Sequence, residues 1–255
     1  MKNKILQWLP LVILLILWEI SANFKDGFST MFSSPIKIIT LLYKKIVSDD
    51  LLYHMLITAY EAFAGLLLGL FTGCIIGFIL VYFPKYSKIS HLYIVALSAI
   101  PTFALAPLMI IWFGTGLQMK IVLAFLSTVF ITAFQTYEGA NKISESDEIF
   151  FRINSATNKQ RFWMLSFPAS LDWVIQSLKL NAGFCILGAF IGEFIASEAG
   201  LGYIILKASG LYDTTYVFVA IICIIILSML FNLLAVLINK YKLRIIRVVT
   251  ARFSK

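Results

Sequence analysis

This sequence is short of charge. Asp, Glu, Lys and Arg make up 13% of its 255 residues, while 60% are hydrophobic. A soluble domain carries about a quarter charged residues. A water-facing globule needs more polar surface than this chain has, so the apolar excess faces something other than a protein core. Lipid is the solvent that accepts it. Histidine is scarcer still: the two present, His54 and His91, stand far apart, which leaves no H-E-x-x-H pair for zinc hydrolysis. The serine elbow G-x-S-x-G is missing as well. So is the phosphate loop G-x-x-x-x-G-K-[ST], so the chain cannot hydrolyse ATP by itself. The three cysteines, Cys74, Cys185 and Cys223, lie inside apolar runs without paired spacing. They support neither a disulfide framework nor a metal site. No internal repeat and no low-complexity tract is present.

What remains is a series of long apolar runs. They predict an all-α polytopic membrane bundle of about six spans in a single domain, 1–255. The spans fall near residues 6–22, 56–82, 91–113, 119–137, 173–196 and 216–239. The first run has Lys2 and Lys4 before it, as a signal peptide would. It lacks a small-x-small cleavage site and more spans follow, so a retained helix is expected. Between the first two spans, Ser34-Pro35 opens an amphipathic stretch to Val47, and proline suits the first turn of a helix. The net charge of +8 would suit nucleic acid if it formed one patch. Instead the basic residues fall in short segments between spans and in the tail at Lys240, Lys242, Arg244, Arg247, Arg252 and Lys255. With both termini inside, cytoplasmic segments hold fourteen Lys and Arg against six in external ones, with Lys179 inside a span. That bias follows the positive-inside rule and places both termini in the cytoplasm. The partner implied is the bilayer, not nucleic acid.

Within the spans a few residues stand out. Gly65, Gly69, Gly73 and Gly77 repeat every four residues, which gives the second span a smooth stripe for close helix packing. Glu61 lies one turn earlier on the same stripe and so faces protein. The third span contains Pro101 and Pro107. Each removes an amide donor and crowds the carbonyl four residues before it, so the helix should kink or break inside the membrane. Broken helices of this kind build solute paths in transporters, although a plain kink would read the same. Lys179 and Glu193 share the fifth span about 21 Å apart, too far to pair. Ionisable groups inside a span are functional candidates, with snorkelling to the headgroups as the plainer account. Pathway candidates are thus Pro101, Thr102, Pro107, Lys179 and Glu193. The polar stretch 138–170 is too long for a structureless connection, and one or two short helices are expected in it.

These residues resemble a known family. Ile100-Pro101 through Pro107-Leu108 and then Trp112-Phe113-Gly114-Thr115-Gly116 look like the permease subunits of binding-protein-dependent ABC importers. The nitrate, sulfonate and taurine type, with its thiamine-precursor relatives, is the nearest. Ser34-Pro35, His54 with Thr58, Thr136-Tyr137 with Gly139, and Gly192-Glu193 followed by Gly200-Leu201-Gly202-Tyr203-Ile204 add to the likeness, which covers roughly 34–240. The resemblance implies a coupling loop at 138–170 that docks on an ATPase, at Ser155, Ala156, Thr157 and Gln160. Here the chain departs from the pattern. Ser155 stands at the usual glycine, which predicts an altered turn between the loop's short helices. Ile149 and Phe151 stand at the usual glutamate and alanine, and Glu61 stands where an arginine is usual.

What the resemblance implies is a transport subunit in a bacterial inner membrane, not an enzyme. Two copies of an ATP-binding subunit would hold the ATP, so this chain needs no cofactor of its own. An extracytoplasmic solute-binding protein would deliver the solute, and a second permease copy would complete a homodimeric pathway. Alternating access would then import a small solute: a sulfonate, nitrate or taurine-like anion, or a thiamine-precursor-like heterocycle. An ion-coupled secondary transporter or channel shares the spans and the broken helix, and it is the rival reading.

Overall fold

The structure, a computed structural model, describes residues 2–24, 31–48, 50–83 and 92–241. His91 and the basic tail from Lys242 onward lie outside them. The fold is all-α, with no strand among the described residues. In chain order the helices are α1 (Lys2–Phe24), α2 (Pro35–Val47) and α3 (Asp50–Tyr82), then α4 (Leu92–Ser98) and α5 (Thr102–Phe113). There follow α6 (Leu117–Asn141), α7 (Glu145–Ile153), α8 (Asn158–Ile195), α9 (Leu201–Gly210) and α10 (Thr214–Lys240).

Helices α3, α6, α8 and α10 are long and apolar enough to cross a membrane, and the bent pair α4–α5 makes a fifth candidate. Helix α1 adds the shorter apolar run Val12–Ala22. The helices outrun the apolar stretches that announce them: α8 covers 38 residues, about 57 Å at 1.5 Å per residue. The hydrocarbon core is only about 30 Å thick, so polar flanking turns continue the helix beyond it. Apolar side chains point outward, as a lipid solvent demands. On α3, Leu67, Leu68, Phe71, Ile75 and Ile79 are exposed while Gly65, Gly69, Gly73 and Gly77 are buried.

The chain divides into two compact units, Met1–Ile57 with Glu193–Ile226 and Thr58–Gly192 with Leu227–Lys255. In the first, α2 starts as the Ser34-Pro35 pair predicts. Ser34 is extended (φ −140°, ψ 150°), its side chain accepts from the Lys37 amide, and Pro35 opens the helix. Glu19 of α1 accepts the Ile36 amide at 3.1 Å, an anion at a helix N-terminus, which the helix dipole favours. Ser33 packs beneath and shares a 2.8 Å hydrogen bond with Thr215 of α10.

In the second unit the glycine stripe of α3 meets a matching stripe on α6. A Cβ placed on Gly65, Gly69, Gly73 or Gly77 would run into Ala124, Thr128, Thr132 or Thr136 respectively. Both stripes repeat every four residues, so the two backbones approach along four successive turns. The threonines carry hydroxyls into this close contact, and each donates to its own helix. Thr128 reaches the Ala124 carbonyl at 3.2 Å, Thr132 the Thr128 carbonyl at 3.0 Å and Thr136 the Thr132 carbonyl at 2.8 Å. On its other side α6 receives α8. Gly188 abuts Ala124 and Ser127, Trp173 fills the space over Gly139, and Asn181 donates to the Thr132 hydroxyl at 2.8 Å.

Candidate functional site

The third span is interrupted. Helix α4 ends at Ser98, α5 starts at Thr102, and the two are bent by 86°. Pro101 explains the break. It has no amide, and its ring displaces the carbonyl four residues earlier; that carbonyl, on Leu97, is taken instead by the Ile100 amide at 3.3 Å. Among the described residues the amides of Thr102 and Phe103 reach no backbone acceptor, and only Ala104 bonds back, to Pro101 at 2.9 Å. Pro107 sits inside α5 without ending it.

A cavity of about 290 Å³ lies at this break. Pro101 and Thr102 line it from one side, Ser127 and Phe130 of α6 from a second, and Phe184 and Leu187 of α8 from a third. The Ser127 hydroxyl lies 3.3 Å from that of Thr102 and donates to the Leu123 carbonyl at 2.9 Å. Ser127 is the eleventh residue of the 25 in α6, so the cavity lies near the middle of that helix.

The other pathway candidates lie elsewhere. Pro107, Lys179 and Glu193 do not line this cavity. Lys179 is exposed on α8. Glu193 is fully buried and accepts the Gly202 amide at 2.8 Å, in the first turn of α9. A carboxylate there meets unpaired amides and the positive end of the helix dipole. Gly200, at φ +107°, brings its backbone so close that any Cβ would strike the Glu193 carboxylate. The Gly200 amide donates in turn to His54 Nδ1 at 2.9 Å. The 192–204 sequence block thus folds one loop onto one buried acid.

Glu61 gains a partner that sequence reading missed. Lys120 of α6 donates to it at 3.0 Å, and both are buried. Lys120 sits at the edge of an apolar run, where it counts with the external charges. In the structure it lies within α6 and packs its stem against Gly192. A negative Glu61 is therefore matched by a positive Lys120. The signal was a lone lysine on an otherwise apolar helix.

The stretch after α6 holds one short helix, α7, and then the first turns of α8. Ser144 caps α7, accepting the Asp147 amide at 3.1 Å. At the other end, the Ser155 amide donates to Arg152 at 3.1 Å and the Ala156 amide to Phe151 at 3.0 Å, the paired bonds of a Schellman cap. Ser155 occupies the left-handed position of that cap, at φ +53°. Glycine is favoured there because a Cβ is strained. The turn expected to change with serine is formed all the same, with the strain carried by Ser155. Thr157 and Gln160 make a reciprocal capping box that starts α8, and Ala156 is half-buried between the caps. Glu148 of α7 and Arg161 of α8 pair, beside a cleft of about 400 Å³ that Tyr82 and Tyr137 also line. A π-helical turn, Phe162–Ser166, then leads into the long part of α8. Pro168 lacks the amide that would bond to Met164, and widening the preceding turn accommodates the loss. On the face of Ile149, Phe150 and Ile153, α7 is exposed and apolar.

The sequence profile of the family described as binding-protein-dependent transport system inner membrane component matches residues 65–244. Among curated proteins, the chain is 28% identical over 220 residues to the formylaminopyrimidine transport permease protein ThiX of Halalkalibacterium halodurans, covering 86% of this chain and 87% of that one. It is 29% identical to the putative aliphatic sulfonates transport permease protein SsuC of Bacillus subtilis, with 84% and 77% covered. It is 28% identical to the riboflavin transport system permease protein RibX of Chloroflexus aurantiacus, with 92% and 87% covered. Among solved structures, a chain from inward-facing conformations of the MetNI methionine ABC transporter superposes with a TM-score of 0.63 at 19% identity. The match covers 80% of this chain and 98% of that one.

Proposed function

This chain belongs to the family of binding-protein-dependent transport system inner membrane components, and from that membership we propose that it is the permease subunit of an ATP-binding-cassette importer for a small solute. Its apolar helices make it a multi-pass membrane protein. The observation that carries the pathway reading is the break at Pro101, which opens a cavity between α4–α5, α6 and α8. Irregular backbone is tolerated at membrane depth only where protein or a wet cavity receives it, and transporters place solute sites at such breaks.

Two copies of the permease form the pathway, and two ATP-binding subunits grip the 138–170 connection from the cytoplasm, at the turn of Ser155, Ala156, Thr157 and Gln160. A binding protein delivers solute to the outer face. Closure of the ATPases tilts the spans from inward-facing to outward-facing, and hydrolysis resets them. Both termini lie in the cytoplasm, as the lysine and arginine bias supports. The apolar face of α7 and the two caps behind it suit a docking role, because they present a stiff, partly apolar knob. The solute is drawn from the range that the relatives' names span, from aliphatic sulfonates to pyrimidines and flavins.

The test is purification of the tagged chain from native membranes in mild detergent, with mass spectrometry of what accompanies it. An ATP-binding subunit in equal amount is the expected result. Recovery of the chain alone, active in gradient-driven uptake, would overturn the proposal in favour of an ion-coupled transporter. An Ala156→Glu variant should insert normally yet lose the ATPase; normal association would remove the docking assignment.

A further inference from the structure

We infer that the cavity at the α4–α5 break takes an uncharged, one-ring heteroaromatic solute in preference to a sulfonate-type anion; the inference rests on reading the chain as a permease. The first argument is the absence of counter-charge. Among the described residues, no Asp, Glu, Lys, Arg or His side chain lines the cavity. Lys120 is two turns before Ser127 on α6, but it is buried against Glu61. An unpaired anion in a site of low polarity loses hydration that nothing there restores. The cavity offers a sulfonate hydroxyls and amides but no cation.

What it does offer matches a flat ring. Phe103, Phe130 and Phe184 come from three different helices, and aromatic faces pack against ring faces in offset or edge-on arrangements. Around them stand hydrogen-bonding groups of both kinds. The Thr102 and Ser127 hydroxyls donate and accept. The Thr102 and Phe103 amides take no backbone acceptor among the described residues, and the carbonyls of Ser98, Ala99 and Ile100 take no backbone donor. A heteroaromatic ring with ring nitrogens and an exocyclic amino group needs both donors and acceptors along one edge, and apolar surface on both faces. The volume of about 290 Å³ lies at the small end of sites for small molecules, which favours one ring over a fused tricycle.

The experiment is cysteine protection in native membranes. Leu187→Cys and Ile191→Cys each place a thiol on the cavity wall, and Phe71→Cys on the exposed face of α3 serves as a control. Alkylation by a membrane-permeant maleimide is followed by mass spectrometry, with 4-amino-2-methylpyrimidine or ethanesulfonate added at millimolar concentration. The pyrimidine should slow labelling at 187 and 191 by about threefold once it reaches twice its Kd, by mass action. It should leave 71 unchanged, and ethanesulfonate should protect neither wall position. Protection by ethanesulfonate, protection by neither compound, or no labelling of either wall cysteine overturns the inference. The ATPase co-purification is scored on the same membranes. An ATPase present with no pyrimidine protection removes this inference alone, whereas an absent ATPase removes the permease reading beneath it.

Discussion

Adding one methyl group at Gly73 should destabilise the protein, although the same change elsewhere stabilises helices. An ideal Cβ on Gly73 would lie 2.6 Å from Thr132 Cβ and 2.6 Å from the Val129 carbonyl oxygen. Carbon atoms in contact sit about 3.5–4.0 Å apart, so α3 and α6 must separate by roughly 1 Å. The Val129 oxygen belongs to the backbone and has no rotamer to retreat into. Separation weakens the turns above and below as well, since Gly69 and Gly77 are seated just as closely on Thr128 and Thr136. A radial gap of about 0.5–1 Å already forfeits a quarter to a half of each contact. Overpacking of this kind costs about 1–3 kcal/mol. Against it stands the conformational gain of alanine over glycine in a helix, about 0.5–1 kcal/mol. The net expectation is a loss of about 1–2 kcal/mol.

Gly183 supplies the control. It lies on α8, where a Cβ would meet nothing within 4 Å, so Gly183→Ala should keep only the conformational gain. Unfolding of both variants in mixed detergent micelles, read by tryptophan fluorescence, should separate them by roughly 2 kcal/mol. Equal stability, or a Gly73→Ala protein firmer than wild type, would refute the claim that packing at the stripe limits the α3–α6 distance.

Three further perturbations follow from the geometry. Lys120→Met leaves Glu61 buried without its cation and should cost about 3–5 kcal/mol; Glu61→Leu with Lys120→Met should recover most of it in a detergent thermal-stability assay. Ser155→Gly should relieve the left-handed strain and stabilise the α7–α8 connection by about 0.5–1 kcal/mol, whereas Ser155→Val should open it. Limited proteolysis after Lys159 would report both. Gly200→Ala adds a Cβ at φ +107° against Glu193, so α9 should loosen and trypsin should cut at Lys207 faster than in wild type.

Much of this fold is written locally in the sequence, where periodicity and breakers act over a few residues. The glycine stripe, the Ser34-Pro35 helix start and the proline break each depend on neighbours within about two turns, so a single segment suffices to read them. The threonine stripe on α6 was equally legible, at Ala124, Thr128, Thr132 and Thr136, but only once its partner stripe was known. The Glu61–Lys120 pair was not legible, because 59 residues separate its members and only tertiary packing joins them. Helix ends and span ends also differ, for another reason. Hydropathy marks where lipid stops, whereas α8 continues for several turns into polar sequence, back to a capping box at Thr157. Glu193 illustrates the limit for sites: position alone allowed a pathway role, and the short loop that brings Gly202 back to it supplies a capping one.

The two halves of the cavity wall differ in how they treat buried polarity, and that difference bears on how tightly a solute is held. On α6 the hydroxyl of Ser127, which lines the cavity, donates to the Leu123 carbonyl of its own helix. At the α4–α5 break the backbone groups are left to the cavity. In hydrocarbon such groups would cost several kcal/mol each, so they call for a polar partner, water or solute. A heterocycle entering it then exchanges water hydrogen bonds for protein ones, at a net of only about 0.5–1.5 kcal/mol each. The remaining drive comes from ring faces against Phe130 and Phe184, which discriminates by shape and charge without strong retention. On the reading proposed above, such a cavity disfavours anions by its lack of a cation and still releases what it admits, because no single contact in it is strong.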